Sequence, residues 1–517
     1  MKQHSVLLAI HFACTIGAAQ PTTQWQKSFG GSLEDFAFSV QQTSDAGYIV
    51  GGASVSNDGD VTGNHGSFDY WVVKLDEHGD LQWQKSLGGS DEDRARSIQQ
   101  TSDGGHIVAG YSRSNDGDVT GNHGDFDYWV VRLDGQGDVQ WERSLGGSDW
   151  DAAQSIQQTS DGGFIVAGYS RSNDGDVTGN HGNFDYWVVK LDGQGDIQWE
   201  KSLGGSYWDA AYNIQQTSDG EYIVVGQSAS KNGDVTGNHG NFDYWVVKLD
   251  GQGDIQWQRS LGGSDDDYAH AFQQTIDGGY IIAGHSSSND GDVTANHGLT
   301  DIWVVKLDAS GNIQWQRSLG GSGYEYAASI QQTIDVGYMI AGESRSNDGD
   351  VTANHGLADI WVVNLDAQGN IQWQRSFGGS GVDDACCIQQ TSDGGYTVAG
   401  ATSSVDGDVT SNHGRSDCWI VKLGPDSVGT GSLSNRTMRA KVSPNPAELT
   451  VSLYWQSLSG IHHVHVTDLL GQIVDSRSVQ FTEGTSRPIQ LQGIAPGIYS
   501  VIIASHEHRP VGTVIIH

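Results

Sequence analysis

Six clusters of oxygen-bearing side chains return along the chain at one fixed step. They are Asp58, Asp60 and Asn64; Asp116, Asp118 and Asn122; Asp174, Asp176 and Asn180; Asp290, Asp292 and Asn296; Asp348, Asp350 and Asn354; and Asp406, Asp408 and Asn412. Each belongs to a variant of one run, seen whole in Ser114 to Gly124 as Ser-Asn-Asp-Gly-Asp-Val-Thr-Gly-Asn-His-Gly. Carboxylate and amide oxygens about a glycine turn are the donors a hard cation such as Ca²⁺ takes. The same residue types build Asx turns, whose side-chain oxygens accept backbone amides. The spacing is not that of an EF-hand, no Glu closes the loop, and one copy reads Lys231-Asn232-Gly233-Asp234. Calcium site and hydrogen-bonded turn both remain open. The histidine in each run (His65, His123, His181, His239, His297, His355 and His413) recurs once per unit, too sparsely spaced for several to share one transition metal.

A second acidic series is Asp35, Asp93, Asp151, Asp209, Asp267, Glu325 and Asp383. Converging on an axis, these acids would hold a cation and raise one another's pKa; otherwise they accept amides from a neighbouring unit. Beside this series lie aromatics that break the regularity: Trp150 and Trp208, with Tyr207, Tyr268, Tyr324 and Tyr326. Aromatic faces next to Asp151 and Asp209 suit a glycan- or peptide-binding patch, against the plainer reading of caps on strand ends. Catalysis finds little support. There is no Gly-x-Ser-x-Gly elbow and no His-Glu-x-x-His, although a paired-carboxylate glycosidase needs only acids that abound here.

What must position these residues is a repeat. Trp25, Trp83, Trp141, Trp199, Trp257, Trp315 and Trp373 form one series with a 58-residue step; Trp71, Trp129, Trp187, Trp245, Trp303, Trp361 and Trp419 form another. In the repeat Trp141 to Gln198 and the run it leads into, four β-rich runs alternate with glycine turns: Ser155–Thr159, Phe164–Gly168, Tyr186–Leu191 and Ile197–Leu203. These strands are called a, b, c and d. The pattern opens on an isolated d strand, Gln24–Phe29, and stops on a c strand, Cys418–Leu423. Complementary orphans at the two ends are expected of a closed ring, not of an open stack. The expected fold is all-β: a seven-bladed β-propeller over 20–424 closed by its N-terminal strand, with the b–c and d–a loops on one face. Gly-Gly-Ser after each d strand resembles kelch-type repeats, and Leu-Asp-x-x-Gly-x-x-x-Trp, as in Leu191 to Trp199, is similar to the tryptophan-docking motif of quinoprotein propellers. The resemblance implies that the periodic tryptophans serve packing.

The chain has 517 residues, 72 of them glycine, and a net charge of −36. That charge repels nucleic acid and anionic lipid. Residues 1–19 read as a signal peptide: Lys2, an apolar run from Val6 to Ile16, then Gly17-Ala18-Ala19. No other segment is apolar enough for a transmembrane span. Cys386, Cys387 and Cys418 are too few for a disulfide framework, despite the exported address.

After a Gly/Ser/Thr linker at 425–440, residues 441–517 change character toward a small immunoglobulin-like β-sandwich. Ser443-Pro-Asn-Pro446, Asp468-Leu-Leu-Gly471 and Gly497-Ile-Tyr499 resemble the C-terminal sorting domain of type IX secretion substrates in Bacteroidetes-type bacteria. That resemblance implies recognition by the type IX machinery, passage across the outer membrane, and release or attachment at the cell surface. The expected function is a secreted or surface-displayed, monomeric binding or adhesion propeller for a glycan or protein, with Ca²⁺ as its candidate cofactor. The alternative is a secreted glycan-degrading enzyme on the same scaffold.

Overall fold

The computed structural model describes residues 20–426 and the strands between 441 and 516. The expected signal peptide and most of the linker, 427–440, lie outside the described residues. Every regular element described is a β-strand.

Blade 1 shows the pattern. Strand a is Asp35–Gln42, b is Tyr48–Ser54, c is Asp69–Leu75 and d is Leu81–Leu87, antiparallel in that order. The a strands of adjacent blades approach one another around the whole ring, so a is innermost and d outermost. Seven such sheets are present. The seventh is completed by Thr23–Phe29, which pairs with Asp417–Leu423 in register from Trp25 opposite Lys422 to Phe29 opposite Cys418. Ring closure by the N-terminal strand is therefore as expected. Strand a is longer than its sequence suggests: in blade 3 it starts at Asp151, four residues before Ser155. The tail forms two antiparallel sheets, one of three strands and one of four.

Each blade is covered on both faces by its neighbours, so strands b and c are buried almost throughout, strand b opening at its sixth residue in five blades. This is why they read as continuous apolar runs such as Tyr186-Trp-Val-Val and not as alternating ones. Cores form between blades. Ile107, Tyr128 and Val130 of blade 2 pack on Ile156, Val166 and Trp187 of blade 3. The closing interface sets Phe29, Cys418 and Ile420 against Val40, Tyr48 and Trp71. The Trp187 series is fully buried, and each indole N–H is taken by a d-strand Gln or Glu, as Trp187 Nε1 donates to Glu200 Oε2 at 2.9 Å. Burying an indole is worth about 4–6 kcal/mol before entropy is counted. The outer series bridges blades: Trp25 meets Tyr48 edge-on at 5.6 Å and covers the c–d turn at Gly79, where a Cβ would lie 2.8 Å from the ring.

Around the axis, a glutamine side chain caps the end of the free edge of every inner strand. Gln41 Oε1 accepts the amide of Gln100, Gln99 that of Gln158, and the sequence continues until Gln389 accepts the amide of Gln42. Seven equivalent bonds thus stitch each inner strand to the next around the ring.

Candidate functional site

The Asp/Asn loops are latches. Asp58 Oδ1 accepts the amide of Ser32 at 2.7 Å and Asp60 Oδ2 that of Gly30 at 3.2 Å, while Asn64 Nδ2 donates to Ser54 O at 2.8 Å. A b–c loop thereby holds the d–a crossing that brings the chain into its own blade. The same three bonds recur in every blade, with Asn232 standing in for Asp in blade 4. Gly-Gly-Ser follows from this contact: a Cβ on Gly31 would sit 2.3 Å from Asp58 Oδ1. Among the described residues, no three His, Cys, Asp or Glu side chains gather where one ion would reach them.

The second acidic series does not face the axis. Asp151 and Asp209, expected from sequence to line a ligand patch, have no exposed surface. Asp151 Oδ2 accepts Gly147 N at 2.7 Å and Ser172 Oγ at 2.8 Å, and Asp209 is held equivalently by Gly205 and Ser230. Each such acid lies beside a third, unforeseen series heading strand c: Asp69, Asp127, Asp185, Asp243, Asp301, Asp359 and Asp417, all fully buried. Asp69 Oδ2 accepts both the amide and Nδ1 of His65, at 2.9 and 2.7 Å. Its Oδ1 has no hydrogen-bond partner, and the same holds for all seven copies. That oxygen and the neighbouring acid converge on Gly88: a Cβ there would lie 3.0 Å from Asp69 Oδ1 and 2.4 Å from Asp93 Oδ2. Burial, opposed by hydrogen bonds, pushes Asp69, Asp127, Asp185 and Asp267 up to about 6. Seven buried carboxyl pairs therefore line the blade junctions.

The exposed aromatics gather into two arcs on the b–c/d–a face. Trp150 and Trp208, 37% and 39% exposed, flank Phe184 at 6.0 and 4.8 Å. Tyr324 stacks on Tyr326 at 6.2 Å, and Tyr326 and Tyr268 both meet His285, at 4.6 and 5.0 Å. Tyr207, 62% exposed, makes no ring contact.

Between the arcs is a feature that reading for aromatics alone overlooks. Every strand a carries a β-bulge at the same place, for example between Ala37 and Ser39 and between Ala95 and Ser97. A bulge adds a residue and re-aims its side chain. The seven bulge residues are Phe38, Arg96, Gln154, Tyr212, His270, Ala328 and Cys386, no two alike. They touch across blades: Arg96 lies over Phe38 at 4.5 Å and donates Nε–H to Gln154 Oε1 at 3.1 Å, and Tyr212 meets His270 at 5.2 Å. The strand-b ends above them vary too: Ala53, Tyr111, Tyr169, Gln227, His285, Glu343 and Ala401. His270 Nε2 and His285 Nδ1 are 3.2 Å apart, and burial lowers His270 to about 4, so the pair is neutral. Asp384 opens on water, yet its crowded setting and the Glu343 carboxylate beside it push it up to about 8. Aligning the repeats on 58 residues and seeking variable positions would have found this axial set.

Comparison with known proteins adds an address. The secretion system C-terminal sorting domain family matches residues 441–517. The regulatory protein FlaEY of Caulobacter vibrioides is 25% identical over 434 residues, covering 73% of this chain and 44% of FlaEY, so the chain spans less than half of that relative. Among solved structures, a fungal AA5-family alcohol oxidase in complex with copper matches 96% of this chain and 99% of its own at 11% identity, TM-score 0.48. The Pan2 WD40 domain of Neurospora crassa matches 79% and 97% at 10% identity, TM-score 0.44.

Proposed function

We propose that the propeller of this type IX secretion substrate is a glycan-binding module, carried out of the cell and displayed at or released from its surface. The sorting domain at 441–517 engages the type IX machinery and gives the extracellular address. The signal peptide at 1–19, a Bacteroidetes-type host and a monomeric state belong to the same proposal. One observation carries the binding reading: seven blades share their latches, stitches and tryptophans, while their variation gathers at the axial mouth. Scaffold duties demand sameness; a recognition surface demands difference. Two aromatic arcs beside polar side chains are what a sugar ring stacks on. A glycan array probed with the full chain tests this, and Trp150→Ala combined with Trp208→Ala is expected to weaken binding at least tenfold. Unchanged binding would dismiss the rim aromatics.

A second reading, a glycan-degrading enzyme, rests on Asp384, a water-facing acid whose pKa is raised by its crowded setting and by the Glu343 carboxylate beside it. A raised pKa is what a general acid requires. New reducing ends from a polysaccharide panel, lost in Asp384→Asn, would favour it.

A further inference from the structure

Resting on the glycan-binding reading but on separate residues, we infer that the axial side-chain cluster takes the carboxylate of an acidic sugar, a uronate, on Arg96.

Six arginines stand at the mouth or on the axis, and five have an acidic partner among the described residues. Arg94 pairs with Glu92 at 2.5 Å, Arg113 with Asp125 at 3.0 Å and Arg171 with Asp149 at 3.7 Å. Arg345 pairs with Glu343 at 3.2 Å and Arg415 with Glu34 at 3.5 Å. Arg96 has none, in a chain of net charge −36. Its Nε–H goes to Gln154 and its face to Phe38, which leaves the terminal guanidinium nitrogens without an acceptor among the described residues. The bulge places it centrally: its charge is felt by Tyr111 in its own blade and by Tyr169, Tyr212 and His270 in the next three. A half-buried guanidinium with a free fork matches a carboxylate bidentately.

The surroundings select the rest of the ligand. Tyrosine hydroxyls, the Gln154 amide and a neutral imidazole pair offer both donors and acceptors, which suits a polyol. The glutamine stitches already occupy one amide at the end of each inner strand, which shortens the backbone edge an extended peptide could pair with. Recognition is assigned to the side chains, with aromatic rings for the sugar faces and Arg96 for the acid.

The test is titration of the full chain with trigalacturonate, trimannuronate and glucuronate against mannotriose, glucose, triglycine and sodium acetate, by calorimetry. At least one uronate is expected to bind at least tenfold more tightly than every neutral sugar. Arg96→Gln is expected to remove that preference with the melting temperature unchanged, and Arg96→Lys to retain part of it. Neutral sugars bound as well as uronates, or uronate binding intact in Arg96→Gln, would overturn the carboxylate site while leaving glycan binding standing. Triglycine or acetate matching the best uronate would overturn the sugar. Silence from every saccharide here and on the array would remove both this inference and the reading beneath it.

Discussion

The buried carboxyl pairs make stability fall as pH rises, and Asp69→Asn isolates one of them. Asp69 is fully buried, and its pKa moves from 3.8 to about 6 on folding. Between those values the folded protein keeps a proton that the unfolded chain has released. The stabilisation is whole below about pH 4 and is lost as pH rises through about 6. At 1.36 kcal/mol per pKa unit the shift corresponds to about 3 kcal/mol, of which about 2 kcal/mol falls between pH 4.5 and 7.5. Asp127, Asp185 and Asp267 act in the same sense. Asp103, which Thr101 and Arg132 hold down at about 2, titrates below this window. The amide of Asp69→Asn keeps an acceptor for His65 and presents hydrogens where the acid carried its proton. Urea unfolding by tryptophan fluorescence at constant ionic strength, from pH 4.5 to 7.5, is the assay. The neutral His270–His285 pair acts on total stability in the opposite sense, so the difference between the proteins is the readout: the gap between wild type and variant is expected to change by about 2 kcal/mol across the range, in favour of wild type at pH 4.5. A gap constant to within about 0.5 kcal/mol, or one that moves in favour of wild type at pH 7.5, would refute the reasoning.

Three further outcomes follow from the geometry. Gly79→Ala sets a methyl 2.8 Å from the Trp25 ring at a φ of +77°, and is expected to cost about 2–4 kcal/mol by denaturant unfolding; Gly63→Ala, at a φ of +86° with open space around it, should cost about 1 kcal/mol. Gln26→Ala strips the acceptor from the Trp419 indole in the closing blade and should destabilise by about 1–3 kcal/mol in the same assay. Thermal unfolding in EDTA and across a Ca²⁺ titration checks the loops. Because Asp58, Asp60 and Asn64 already bond to backbone, no saturable rise is expected, whereas a calcium site would add about 2.7 kcal/mol at a hundredfold excess over Kd.

The 58-residue step, the two tryptophan series and the complementary orphan strands determined the all-β ring, its blade count and its closure before any coordinate was known. They could do so because each blade is a local unit whose neighbours are the same unit again, so one period contains the packing. The Pro-Asn-Pro, Asp-x-x-Gly and Gly-x-Tyr runs likewise carried the export address. Only the tertiary structure decided what the acids do. Asp69 and Asp93 are 24 positions apart and in different blades, and nothing local shows that they share a buried junction. Nor does composition reveal that Asp58 is occupied by an amide 26 residues away, or that a bulge aims Arg96 at the axis beside three other blades. Proximity created by ring closure is a property of the assembled blades, and it alone separates a latch from a binding site.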